Sequence, residues 1–191
     1  MSDIATAVHK QPNRDGRGLL ARFRHDRSGS TAIEFVMLAI PFSLLVFAIL
    51  ESCIAFAGQQ LLANAADDIA REIRTGQLKA ADVTEIKVRK KICDKLELLV
   101  AKDCPGLIVD LRSFPTFAEA AKLRIKLTTD KEIDTTGFAV APGQSMSKNM
   151  LRVFYPWPVM TDFMRASMSN LKDNRTLQFA TVTWQNEPFN D

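Results

Sequence analysis

Histidine is almost missing from this 191-residue chain, and its two copies, His9 and His25, both fall within the first 29 residues. If that leader is separated from the rest, the remaining sequence has no imidazole. Histidine general-base catalysis and histidine-ligated zinc are then closed to it. The sequence also lacks a GxSxG elbow, a Walker loop and an HExxH helix. Asp67, Asp68 and the cysteines are what is left for chemistry. Adjacent helical residues point about 100° apart, so the two aspartates do not converge on one proton. No enzyme, no catalytic residue, no cofactor and no metal site is expected.

Glycine and proline are sparse, eight of each, which removes collagen-like and low-complexity readings. With 47% hydrophobic and 25% charged residues, the chain is neither disordered nor a multi-span membrane protein. Its length allows one ordinary domain plus one membrane segment. The net charge of +3 has an address. The leader holds Lys10, Arg14, Arg17, Arg22, Arg24 and Arg27 against Asp3, Asp15 and Asp26, which leaves the remainder balanced. No broad basic face, and so no nucleic-acid partner, is implied.

Long uncharged runs are absent except for one. From Phe35 to Leu50 the chain reads FVMLAIPFSLLVFAIL, and the apolar character resumes after Glu51 as far as Gly58. A bilayer span needs about 20 residues, which Thr31 to Ala57 supplies. The stretch is long and continues as helix-forming sequence, so a retained anchor is expected rather than a cleaved secretory signal. The arginine-rich leader places the amino terminus in the cytoplasm and the main domain outside the inner membrane. Glu34 starts the helix, where its charge suits the positive end of the backbone dipole. Glu51, near the outer end, is read as reaching the headgroups. Pro41 lacks an amide and should bend or loosen the helix.

The junction RFRHDRSGSTAIEFVMLAIPF combines a basic leader, Gly29, four residues, then Glu34 and Phe35. It resembles the processing site of type IV prepilins. The resemblance implies cleavage after Gly29 by a membrane aspartic peptidase, a mature chain starting at Ser30, and pairing of Glu34 with the new amino group of a neighbouring subunit. Further pieces, AREIRTGQ at Ala70 to Gln77 and NEPF at Asn186 to Phe189, are similar to the TadE-like family, minor pilins or pseudopilins of the tight adherence (Flp, type IVb) pilus. Phe35 stands where that system's major pilins usually have tyrosine, and Gln185 where arginine is expected. The implied partners are the prepilin peptidase, other minor pilins and the major Flp pilin, the inner-membrane assembly platform and membrane lipid. The implied outputs are pilus biogenesis, surface adhesion and biofilm. The alternative is an uncleaved single-span inner-membrane protein with a periplasmic binding module.

The expected fold is α+β and pilin-like: a long N-terminal transmembrane helix running into a small domain with an antiparallel sheet and two further helices. The boundaries are a cleaved leader at 1–29, a membrane helix at 30–57 and an extracytoplasmic domain at 58–191. Leu62, Ala66, Ile69 and Ile73 continue one apolar stripe beyond the span, with Gly76 as terminator. A second helix is expected over Val83 to Lys102 and a third within Val159 to Leu171. Strand-like sequence appears in GLIVDLRSF, LRIKL, MLRVFYPW and TLQFATVTW, while KEIDTTGFAVAPGQSMSKN reads as a mobile surface loop. In an external domain, Cys93 and Cys104 are expected to be bonded, whereas Cys53 lies in the span. Tyr155, Trp157 and Trp184 are read as core rather than as an exposed platform. The Asn186, Glu187, Pro188, Phe189 end either docks onto a partner or closes the sheet edge.

Overall fold

A computed structural model describes residues 30–190, so Gly29, the leader with His9 and His25, and Asp191 lie outside the described residues. The chain divides into two compact units, one ending at Leu44 and one beginning at Leu45. Helix α1, Ser30–Arg74, contributes to both. In the first unit, every described side chain from Thr31 to Leu44 is exposed except Ala39, which is half-buried. In the second, α1 buries Ala55, Leu62, Ala65, Ala66, Ile69, Ala70 and Ile73. Their spacing of three and four marks one face of a 3.6-residue helix, and four of the seven are alanines, which lets the backbone approach the sheet closely. Leu62 and Ile73 are essentially unexposed, each contributing about 2 kcal/mol by removal from water. The helix stops where Gly76 takes a φ of 71° and donates to the Ile73 carbonyl at 3.1 Å, while Leu78 N donates to Glu72 O at 3.0 Å.

Helix α2, Glu85–Leu96, opens on Thr84, whose Oγ1 accepts from Lys87 N at 3.3 Å. It is shorter than its sequence pattern suggested. Leu99 N and Val100 N both donate to Leu96 O, at 2.9 and 3.1 Å, and Glu97 Oε1 accepts from Asp103 N at 3.2 Å, so the chain passes into turns after Leu96 rather than continuing as helix to Lys102. Strands β1, Ile108–Phe114, β2, Val140–Ala141, β3, Lys148–Pro158, and β4, Arg175–Gln185, form one sheet in the order β2-β1-β3-β4. Helix α3, Phe117–Ala120, is a single turn, and α4, Asp162–Met168, lies between β3 and β4.

β3 pairs antiparallel with both β1 and β4, but the two-residue β2 runs parallel to β1. The sheet is therefore mixed, where an antiparallel one was expected. The segment LRIKL forms no strand. It makes one bridge, Leu127 to Ile133, and its Ile125 and Leu127 stay exposed, so the alternating pattern found no sheet to lie on. The following loop is more tied down than its composition suggested, because it contributes β2 and stacks Phe138 on Phe154 at 5.6 Å.

Leu151, Val153, Tyr155 and Trp157 alternate along β3 and belong to the core that also takes in the buried stripe of α1 and Val88, Ile92 and Leu96 of α2. On the other face of the sheet, buried Arg152 donates from Nε and Nη2 to Asp110 Oδ2 at 3.0 and 2.6 Å. Its guanidinium lies 5.0 Å from the Phe138 ring and 5.6 Å from that of Phe154. Asp110 Oδ1 also accepts from Ala139 N at 3.2 Å, so one carboxylate pairs with the buried cation and anchors the loop.

Candidate anchor and docking site

Serine 30 begins α1, and Glu34 is its fifth residue, exposed on the helix beside the exposed Phe35. Pro41 lies inside the same helix. The stretch beginning at Thr31 is long and apolar enough to cross a membrane, and none of its most apolar window is buried in the fold. A bare apolar surface of this size in water is an association liability, whereas lipid removes that cost.

Glu51 interrupts the apolar run, and the structure gives its carboxylate partners that the sequence did not. Met160 N and Thr161 Oγ1 both donate to it, and Thr161 N donates to Oε2 at 3.1 Å. Thr161 is the residue that opens α4. An anchor-helix carboxylate thus takes up backbone amides at the start of a helix 110 residues away. The sequence indicated a helix within Val159 to Leu171 but nothing of its bond to Glu51.

Toward its outer end α1 is fastened to the sheet by close approach and by two side-chain amides. Gln178 Nε2 donates to Ala55 O at 2.8 Å, and Gln59 Nε2 donates to Phe179 O at 2.8 Å. Gly58 lies against the buried Trp157 indole, so closely that a Cβ there would sit 2.7 Å from Cη2. Tyr155 meets Trp157 edge-on at 6.2 Å, and Trp184 is buried as well.

The carboxyl-terminal motif locks the far end of α1. Asn186 is buried: its Oδ1 accepts from Trp184 Nε1 at 2.8 Å, and its Nδ2 donates to the Gly143 and Gln144 carbonyls at 3.0 and 2.8 Å. Glu187 N donates to Arg74 O at 2.9 Å, and its carboxylate lies 3.6 Å from the Arg74 guanidinium. Pro188 is exposed, while the Phe189 ring packs on Gly76, where a Cβ would come within 2.7 Å of it. Asn186 and Phe189 therefore act within the chain, joining β4 to the end of α1.

Cys93 and Cys104 are joined by a disulfide, with S–S 2.04 Å and Cα–Cα 5.6 Å, tying α2 to the approach to β1. Cys53 is free and exposed on α1. Asp68 pairs with Lys95, and Asp67 is exposed beside it. Among the described residues, no group of three or more histidine, cysteine, aspartate or glutamate side chains is placed to hold a metal ion.

The architecture is that of a small α+β domain built on the outer part of a single long helix with membrane-spanning length and composition. Residues 29–71 match the family model described as TadE-like protein, in agreement with the resemblance read from the junction. The match takes in Gly29, Glu34, the apolar run and α1 almost to its end, and stops short of the sheet. No curated protein matches the chain, and no solved structure does.

Proposed function

We propose that the chain is a non-enzymatic, membrane-anchored minor pilin or pseudopilin of the tight adherence (Flp, type IVb) pilus system. The observation that carries this reading is the TadE-like match over residues 29–71, because it falls on the junction and the helix through which pilins are processed and packed. In this reading the prepilin peptidase cuts after Gly29, the mature chain begins at Ser30, and Glu34 lies about one turn from the new amino group. Its carboxylate neutralises the amino terminus of a neighbouring subunit, which lowers the cost of a charge in lipid, on the order of 2.5 to 3.5 kcal/mol when unpaired at the bilayer centre. The leader stays in the cytoplasm and the disulfide-bonded domain stands in the periplasm. From there it contacts sister pilins and the assembly platform in pilus biogenesis, with adhesion and biofilm as outputs.

The test is the amino-terminal residue of the full chain expressed with and without the cognate prepilin peptidase, read by mass spectrometry, with Gly29→Ala as control. A peptidase-dependent start at Ser30 that the substitution abolishes is expected. An intact Met1 chain beside active peptidase refutes the processing and leaves an uncleaved anchor with a periplasmic binding module.

A further inference from the structure

The α4 segment leaves large apolar side chains in the open: Met160 is 74% exposed and Phe163 73% exposed. On a helical wheel, Phe163 and Met164 lie on the side opposite Asp162 and Arg165, which pair with each other. Arg165 Nε also donates to Val159 O at 3.1 Å, which fastens the polar side back to the end of β3. The opposite side faces away from these contacts. An exposed methionine just before a seven-residue helix and an exposed phenylalanine on it would ordinarily be a liability in water.

What decides the occupant of this face is its attachment. Met160 and Thr161 are hydrogen-bonded to Glu51, and α1 continues apolar and exposed beyond Glu51, with Ile54 at 48% and Phe56 at 71%. Phe56 lies five residues farther along α1, about 7.5 Å at 1.5 Å per residue. A bilayer that covers Phe56 therefore also reaches the level of Glu51 and the start of α4. Interfacial amphipathic helices sit about 5 to 10 Å into the boundary between headgroups and acyl chains, which is this depth. The start of α4 thus lies at the level of the exposed apolar surface of α1.

We propose that Met160 to Met168 forms a second membrane contact, an interfacial foot whose Met160, Phe163 and Met164 side chains insert into the outer leaflet of the membrane that α1 crosses. Glu51 is its positioning residue: it supplies the acceptor for the amides that open α4 and holds the foot at a fixed depth. A carboxylate in the apolar run then has a structural use, and its three donors keep it from being a bare charge in the interface. The inference rests on the membrane-anchor part of the proposed function and not on processing or pilus assembly.

The test uses the full chain in phosphatidylcholine and phosphatidylglycerol vesicles, in a Cys53→Ala background with the Cys93–Cys104 disulfide intact. Nitroxide labels are placed singly at F163C, at M160C, at L45C within the apolar run and at I86C, an exposed site on α2. Collision with oxygen against a water-soluble nickel complex reports depth. A several-fold higher oxygen-to-nickel ratio at F163C than at I86C is expected, approaching the value at L45C, and Glu51→Ala should lower it. Should F163C fail to fold, M160C carries the same measurement. A water-like value at F163C with lipid values at L45C overturns the foot and leaves the anchor standing. Water-like values at both overturn the anchor itself. An immobilised, dipolar-broadened label at F163C without lipid exposure also overturns the proposal, and assigns the face to a second copy of the chain.

Discussion

Replacing Gly58 with alanine sets two effects of opposite sign against each other at the place where the anchor helix meets the sheet. Glycine inside a helix is less favourable than alanine by about 1 kcal/mol, so Gly58→Ala taken alone should stabilise α1. The added methyl, however, would overlap Trp157 Cζ3 and lie 2.7 Å from Cη2 and 3.1 Å from Cε3. The obstacle is a rigid, buried bicycle, held by the β3 to β4 pairing of Trp157 with Thr176 and met edge-on by Tyr155. It cannot swing away as the tip of a lysine could. Overpacking of this kind costs typically 1 to 3 kcal/mol.

Near the middle of that range the packing cost exceeds the propensity gain by about 1 kcal/mol, and a chain of this size should lose roughly 2–4 °C in Tm. Thermal unfolding of the full chain in detergent, followed by circular dichroism, reads the shift. Trp157→Phe removes Cζ3 and Cη2 and opens the space the methyl needs. The double variant should therefore recover more than additivity allows, with a coupling of about 1 kcal/mol. A rise in Tm for Gly58→Ala alone would mean that helix and indole are not in close contact, and the docking of α1 on the sheet described here would be refuted.

Two further outcomes follow from the same packing. Breaking the Cys93–Cys104 bond with paired alanines releases a closed loop of sequence separation 11, which should lower stability by about 3 kcal/mol by the loop-entropy argument; denaturant unfolding of the double variant checks it, and an unchanged midpoint sinks the claim. Tyr155 is the chain's single tyrosine, and burial pushes its phenol above the ordinary value of 10.0. Since the folded value is raised, the stability linked to this group is full below pH 10 and is lost as pH rises through the folded value. Absorbance titration at alkaline pH should show a midpoint above that of the urea-unfolded chain, and equal midpoints would place the ring in water.

The elements readable in the sequence were those whose signal is local. The stripe Leu62, Ala66, Ile69, Ile73 has the helix period, and Gly76 follows it, so α1 ends within two residues of where glycine's conformational freedom allowed. The branched and aromatic runs of β1, β3 and β4 are strand-forming; β4 alternates in burial from Gln178 onward, whereas β3, inside the sheet, is buried at every position from Asn149 to Tyr155. LRIKL shows the limit of that rule: its alternation is sound, yet no neighbouring strand supplies a surface, and pattern alone does not reveal that. The junction from Gly29 to Phe35 was legible because its residues are contiguous, and the TadE-like match begins on it. The partners of Glu51 and of Asp110 were not, lying 110 and 42 residues away, where nothing in the local pattern specifies the pairing.

Asn186 to Phe189 illustrates a different gap between motif and role. The four residues were visible as a motif, and an aromatic beside a carboxylate near the chain end invited a docking reading. In the fold, the Asn186 amide bonds to two loop carbonyls and accepts from Trp184, while Phe189 takes the space that Gly76 leaves open. The residues that end α1 and those that end the sheet are thus complementary, since a side chain at Gly76 would displace the ring. AREIRTGQ and NEPF are accordingly two halves of one contact, with Arg74 and Glu187 meeting across it. That contact, the Gly58–Trp157 approach and the Glu51–Thr161 bonds fasten the outer part of α1 to its domain at three levels. A load on α1 would then be carried by the sheet as well as by the chain connection.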